Sequence, residues 1–181
     1  MRLPVKALGL IAFLLNANGD LFAQDEKGMA QSLAKAFVGA CVQIMPDLDR
    51  VETGAKVLGW KELTGDMAQM FAPAERNATW KGWLVQDAAL VPFMLGIARG
   101  NESGKKISVC TVVNPYAPVG PVQTALTSIL ALKEPSRTET SAGQRTQMWL
   151  TSVRGEEAAV SIVDATPMND PGVNLSVMLI Q

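Results

Sequence analysis

QRTQMWLTSVRGEEAAVSIVD, residues 144–164, is the stretch that decides the fold class. Gln144 to Val153 and Ala158 to Asp164 read as two strands, and Arg154-Gly155-Glu156-Glu157 between them reads as a turn. Two such runs joined by a short glycine-containing link form a hairpin. A hairpin is antiparallel by construction.

Working outward, Val173 to Ile180 is a further strand beyond the loop Ala165 to Gly172. Upstream, Lys106 to Val113 is rich in β-branched residues, Val91 to Arg99 precedes a turn at Gly100 to Gly104, and Thr79 to Val85 is a third strand. Between the two groups of strands lies Asn114-Pro115-Tyr116-Ala117-Pro118-Val119-Gly120-Pro121, a stiff loop. Pro121 suits the first turn of a helix, with Val122, Leu126, Ile129 and Leu130 on its apolar face and Lys133-Glu134-Pro135 at its end.

Before residue 75 the period is helical. Leu33, Phe37, Cys41 and Ile44 recur at helix spacing within 28–44. Pro46 ends that helix, Asp47 or Asp49 can cap a second that runs to about Leu58, and Gly59 is a natural stop. Thr64 can cap a third over Gly65 to Phe71, closed by Pro73. Three helices, three strands, one helix and three strands predict an α+β two-layer domain. Its sheet is mainly antiparallel, and the N-terminal helices and the one further helix pack on one face. Residues 24–181 read as a single domain, helical over 24–74 and mostly strand over 75–181.

The N-terminus carries an export signal. Arg2 and Lys6 precede the apolar run Ala7 to Leu15, and Leu21-Phe22-Ala23 precedes Gln24-Asp25-Glu26. That is the basic, apolar and cleavage-site order of a secretory signal peptide, residues 1–23, cut between Ala23 and Gln24. The apolar run is about half the roughly 20 residues a bilayer span needs, so no permanent membrane anchor is expected. Residues 1–23 carry Arg2, Lys6 and Asp20, so their removal takes 16 basic and 17 acidic residues to 14 and 16, a net charge of −2. No basic patch offers itself to a phosphate backbone, and neither nucleic acid nor an anionic membrane surface is an expected partner.

Cys41 and Cys110 are the only cysteines. An even count in an exported chain favours a disulfide. Cys-x-x-Cys spacing is absent, so a redox-active pair is not expected. The sequence contains no histidine. That removes Ser-His-Asp and Cys-His nucleophiles, imidazole acid–base chemistry and His-ligated metal sites. Neither metal nor cofactor is expected, and an enzyme would have to work with carboxylates, Lys, Ser or Tyr116, the single tyrosine.

Trp80 and Trp83 are three apart, so a strand sends them to opposite faces. One is core; the other, partly exposed or covered by a helix, can join Tyr116 in an aromatic binding platform. Asp164, Asn169 and Asp170 carry oxygen ligands but match no calcium-loop spacing. Asp47, Asp49 and Glu52 read as helix-end charges, and Ser141-Ala142-Gly143 has no nucleophile-elbow context. Asn77, Asn101 and Asn174 head Asn-x-Ser/Thr patterns, read as incidental.

The segments Phe37 to Cys41, Pro46 to Val51, Leu58-Gly59-Trp60 and Ile107 to Cys110 resemble a family of small exported bacterial proteins of uncharacterised activity. The resemblance covers most of the mature chain. It implies a periplasmic location and a paired Cys41 and Cys110, and brings no catalytic residue.

The function expected is a non-enzymatic binding or protein-interaction module, periplasmic or secreted, with another envelope protein as its partner. Two alternatives stand beside it: a carboxylate-based enzyme acting on an envelope glycan, which needs a cleft with two close acidic residues, and a structural or stress-response envelope protein. Expressed with a working secretory pathway, the mature chain should begin at Gln24; N-terminal sequencing of the exported form checks this.

Overall fold

Val173–Ile180 alternates buried and half-exposed side chains residue by residue, and Glu156–Ala165 and the second half of Lys105–Asn114 do the same. A two-residue period of this kind marks strands with one packed face. The computed structural model describes residues 26–72, 78–86, 92–165 and 171–181. The signal segment, Ala23, Gln24, Asn77, Val91, Asn169 and Asp170 lie outside the described residues.

Among the described residues, eight strands form one antiparallel sheet: β1 (Lys61–Glu62), β2 (Thr79–Val85), β3 (Phe93–Glu102), β4 (Lys105–Asn114), β5 (Arg137–Ser141), β6 (Gln144–Val153), β7 (Glu156–Ala165) and β8 (Val173–Ile180). Their order is β1-β2-β3-β4-β8-β7-β6-β5. The sheet is therefore two four-stranded meanders joined where β4 pairs with β8. Three hairpins turn on Ser103-Gly104, Ala142-Gly143 and Arg154-Gly155, with positive φ at both positions of each. That is the type I′ turn, whose twist matches the flanking strands. The tight turns lengthen the strands: Gly100 to Glu102 belong to β3, and Glu156 and Glu157 to β7. The sequence reading omits two edge strands, the two-residue β1 and the fully exposed, polar β5.

The helices are α1, helical from residue 26 and ending in a π turn over Val38–Val42, α2 (Asp49–Val57), α3 (Gly65–Phe71) and α4 (Val119–Ile129). Leu33, Phe37 and Cys41 are buried as the periodicity predicts, whereas Ile44 lies beyond the helix. Gly59 ends the second helix at φ +67°. The expected side-chain caps do not form. No side-chain cap bond is made at the start of α2, and Thr64 precedes α3 in extended conformation without one.

The fold class is the expected α+β. One sheet face carries Trp83, Leu95, Val112, Leu175, Val177, Val160 and Trp149, all buried, and α1, α2 and α4 contribute Leu33, Phe37, Val51, Val122 and Leu126 to the same cluster. Burying each Val, Leu, Ile or Phe contributes roughly 1.5–3 kcal/mol. A disulfide joins Cys41 of α1 to Cys110 of β4, with Cα atoms 5.3 Å apart and a sequence separation of 69. In the chain-entropy model, closing such a loop stabilises by about 4 kcal/mol. The short α3 departs from the expected one-sided arrangement: its Phe71 shares a cavity with Trp80 and Met94 on the other sheet face. The edge explains this. Leu63 donates its N–H to the Gly82 carbonyl (2.8 Å), so the chain rounds the sheet at β1 before α3 begins.

Ion pairs fix α2 on the covered face. Arg99 donates through Nη1 to Glu52 (2.9 Å) and through Nη2 to Asp49 (2.6 Å), and Lys81 also pairs with Glu52. The Lys81 hydrogen bond holds the Glu52 carboxyl below its ordinary value of 4.5, against the opposing effect of burial, and Arg99 assists. A carboxylate whose pKa falls on folding stabilises the fold above its unfolded value and loses that contribution as pH drops through the folded one. Stability should therefore fall as pH is taken below 4.5, and Glu52→Gln should flatten that acid limb. Denaturant unfolding at a series of pH values checks this.

Candidate binding site

The second sheet face has an unusual composition. Its rows run Trp80, Ala98, Val109, Met178, Ala159 and Leu150; then Gly82, Gly96, Thr111, Ser176, Ser161 and Met148; then Leu84, Met94, Val113, Asn174, Val163 and Thr146. None of these side chains is charged. The open face of an antiparallel sheet is normally the polar one, and contiguous exposed apolar surface marks a binding region. Leu150 stands 61% exposed, while Ser161 and Ser176 satisfy each other across β7 and β8 at 2.7 Å.

Trp80 is seated by two glycines. Gly82 and Gly96 face each other across β2 and β3. A Cβ at Gly82 would come within 2.6 Å of the indole Cζ2, and one at Gly96 within 3.1 Å of Nε1. Missing side chains at both positions let the ring lie against the backbone. Beside it, α3 and the chain before it roof a cavity of about 160 Å³, lined by Leu63, Phe71, Trp80, Met94, Thr111, Val113 and Asn174 among others. Its walls are mainly apolar, with polar groups at Thr111 and Asn174. The Asn174 Oδ1 is buried and has no hydrogen-bond partner among the described residues. An apolar cavity with a few convergent polar groups is the usual form of a small-molecule site.

The three aromatic residues singled out in the sequence are not brought together. Trp83 is core, 5% exposed. Trp80 is half-buried on the opposite face, the second of the two environments the spacing predicts. Tyr116 is 68% exposed, but it follows the end of β4, whereas Trp80 lies in line with Val109 at its middle. The five residues from Val109 to Asn114 separate them by about 17 Å along the strand. The loop is stiff, partly by an Asx turn. Asn114, itself buried, accepts the Tyr116 N–H at Oδ1 (2.8 Å) and donates from Nδ2 to the Pro92 carbonyl (3.4 Å).

The acidic candidates are engaged elsewhere. Asp49 and Glu52 bind Arg99, and buried Asp164 pairs with Arg145 at 2.6 Å. Among the described residues, no group of His, Cys, Asp or Glu is placed to hold a metal ion. Ser141-Ala142-Gly143 enters the β5–β6 hairpin turn. Sequence reasoning passes over Gly82 and Gly96, although glycine inside a strand signals close approach of another group. It reaches Asn174 only through an Asn-x-Ser pattern. Among the described residues no helix is long and apolar enough to cross a membrane.

Comparison with protein-family models, with curated proteins and with solved structures finds no match to this chain.

Gly82→Ala should displace the Trp80 ring and cost about 1–3 kcal/mol by overpacking. Gly120→Ala, where a Cβ meets nothing within 4 Å, should change stability far less. Tryptophan emission spectra and denaturant midpoints of the two variants check this.

Proposed function

We propose that this chain is exported, sheds residues 1–23 and works in the periplasm or outside the cell as a non-enzymatic binding module, taking a small neutral ligand into the cavity beside Trp80. The observation that carries the reading is the indole seated on Gly82 and Gly96 at the wall of an apolar cavity with no charged side chain in its lining. The disulfide supports an oxidising compartment.

The cavity sets the ligand class. At about 160 Å³ it matches apolar cavities of about 150 Å³ that hold a benzene-sized guest. The uncharged walls would leave an ion without a partner, at high desolvation cost. The fitting ligand is a ring or short branched chain with a polar group that can meet the Asn174 amide. A guest this small binds in about the micromolar to millimolar range. No carboxylate lines the cavity, so the glycan-enzyme alternative finds no support at this site. The stiff loop that presents Tyr116 favours a second reading, capture of an envelope protein at the other end of the sheet.

Titration with indole or naphthalene should give saturable changes in tryptophan emission. Ala98→Leu, which fills the cavity, should abolish them while circular dichroism stays unchanged. Equal binding by wild type and Ala98→Leu, or no saturation by the wild type, would overturn the cavity reading. Cross-linking in the periplasm with Tyr116→Ala tests the second: a partner captured equally by the variant removes the loop as its site.

A further inference from the structure

Five arginines lie among the described residues. Arg99, Arg137 and Arg145 each pair with a carboxylate. Arg50 and Arg154 pair with none, and these two line one open groove of about 660 Å³ where the end of α1 meets the β6–β7 hairpin. The carboxylates nearest them in sequence are occupied or turned away. Asp49 and Glu52 are held by Arg99, and Glu156 accepts from Gln181 at 2.7 Å. Asp47 and Glu157 are exposed and do not line the groove. The groove thus gathers two guanidinium groups without a carboxylate in its wall.

Arg154 is held in place. It sits in the two-residue type I′ turn at φ +52°, and its Nη2 donates to the Gln43 carbonyl at 2.6 Å. One bond fixes the guanidinium and leaves its other N–H donors for a ligand. Gln43 closes the π turn that ends α1, its N–H donating to the Val38 carbonyl at 2.9 Å. Such turns occur frequently at functional sites. Cys41 within the turn is tied to β4, so this wall is anchored before any ligand arrives, which lowers the ordering cost of binding. The neighbouring Ser152 adds a hydroxyl, and Val42 and Val153 give the groove an apolar side.

We infer that this groove is a phosphoryl-binding site, separate from the cavity beside Trp80. Guanidinium groups bind phosphate through paired N–H donors. A phosphate monoester carries close to two charges at neutral pH and three acceptor oxygens, which two arginine forks can share; a single carboxylate offers one charge. The apolar side suits the remainder of an organic phosphate. The source can be a free phosphorylated solute or a monoester lipid head group.

The test uses the exported, disulfide-bonded chain. Inorganic phosphate and pyrophosphate are titrated at fixed ionic strength by calorimetry. In parallel, vesicles of phosphatidylcholine with and without phosphatidic acid are assayed by co-sedimentation. Arg50→Gln and Arg154→Gln should each weaken binding about tenfold or more, the loss of charge-assisted hydrogen bonds. Arg137→Gln, which removes an exposed charge from the far edge strand, should leave binding unchanged. Saturable binding of phosphate or pyrophosphate with this variant pattern supports a free phosphorylated ligand. The same pattern with phosphatidic acid vesicles alone supports the site and assigns it to lipid head groups. No saturable binding of any probe, or an equal loss in Arg137→Gln, overturns the inference.

Discussion

The antiparallel pairing of β4 with β8 is the constraint on which the rest of the structure depends. Each strand closes a four-stranded meander, and only this seam joins the two into one sheet. Cys110 sits near its middle, opposite Val177, and its disulfide fixes α1 over the junction. Strands this distant in sequence meet late and at an entropic cost that grows with loop length. The buried row Cys110, Val177 and Val160 beneath α1 offsets that cost by removing apolar surface from water. The helices then have one surface left to cover, and α1, α2 and α4 cover it.

Covering one face so completely leaves the other with a different task. A sheet face exposed only to solvent gains from charged residues, which keep it soluble and block edge or face association. The three central rows of this one use glycine, alanine, serine, threonine, valine and methionine instead, and the charged residues stand at its margins. The glycines at 82 and 96 carry the argument furthest, because glycine inside a strand weakens it and gives nothing to pack. Both positions face the same indole. The loss of strand propensity is offset locally by the close contact of Trp80, and the shape of the cavity follows from that contact.

Much of the fold was legible in the sequence because strand and turn chemistry were both locally encoded. Thr79–Val85 and Gly65–Phe71 have the boundaries that residue pattern alone suggests, and the even cysteine count anticipates the Cys41–Cys110 bond. What escaped the sequence lacked a local signal. The polar β5 has no buried residue, so it carries no hydrophobic period. The two-residue β1 is too short to show one. That α3 lies on the far face depends on how the chain rounds an edge, a tertiary fact. The candidate site was legible only in part. The separation of Trp80 from Trp83 follows from strand parity, but the distance between Trp80 and Tyr116 depends on register. That Arg50 and Arg154 line one groove depends on topology, since 104 residue positions separate them in the chain.

The disulfide also decides how the cavity and the groove relate. Cys110 is flanked by Val109 and Thr111, which line the cavity, and Cys41 is followed by Val42, which lines the groove. The two candidate sites therefore lie at the two ends of one covalent bridge whose Cα atoms are 5.3 Å apart. Closeness of this kind invites a reading as a switch, but switching requires an element with two arrangements of similar free energy that both ligands bias. β4 is hydrogen-bonded along both edges, to β3 and to β8, and stapled near its centre. A strand held so gives up most of its register on leaving that position, and a partly shifted alternative would turn its buried face outward. The bridge sets position rather than a change of state: it fixes the spacing of the two sheet regions that wall the cavity and the groove.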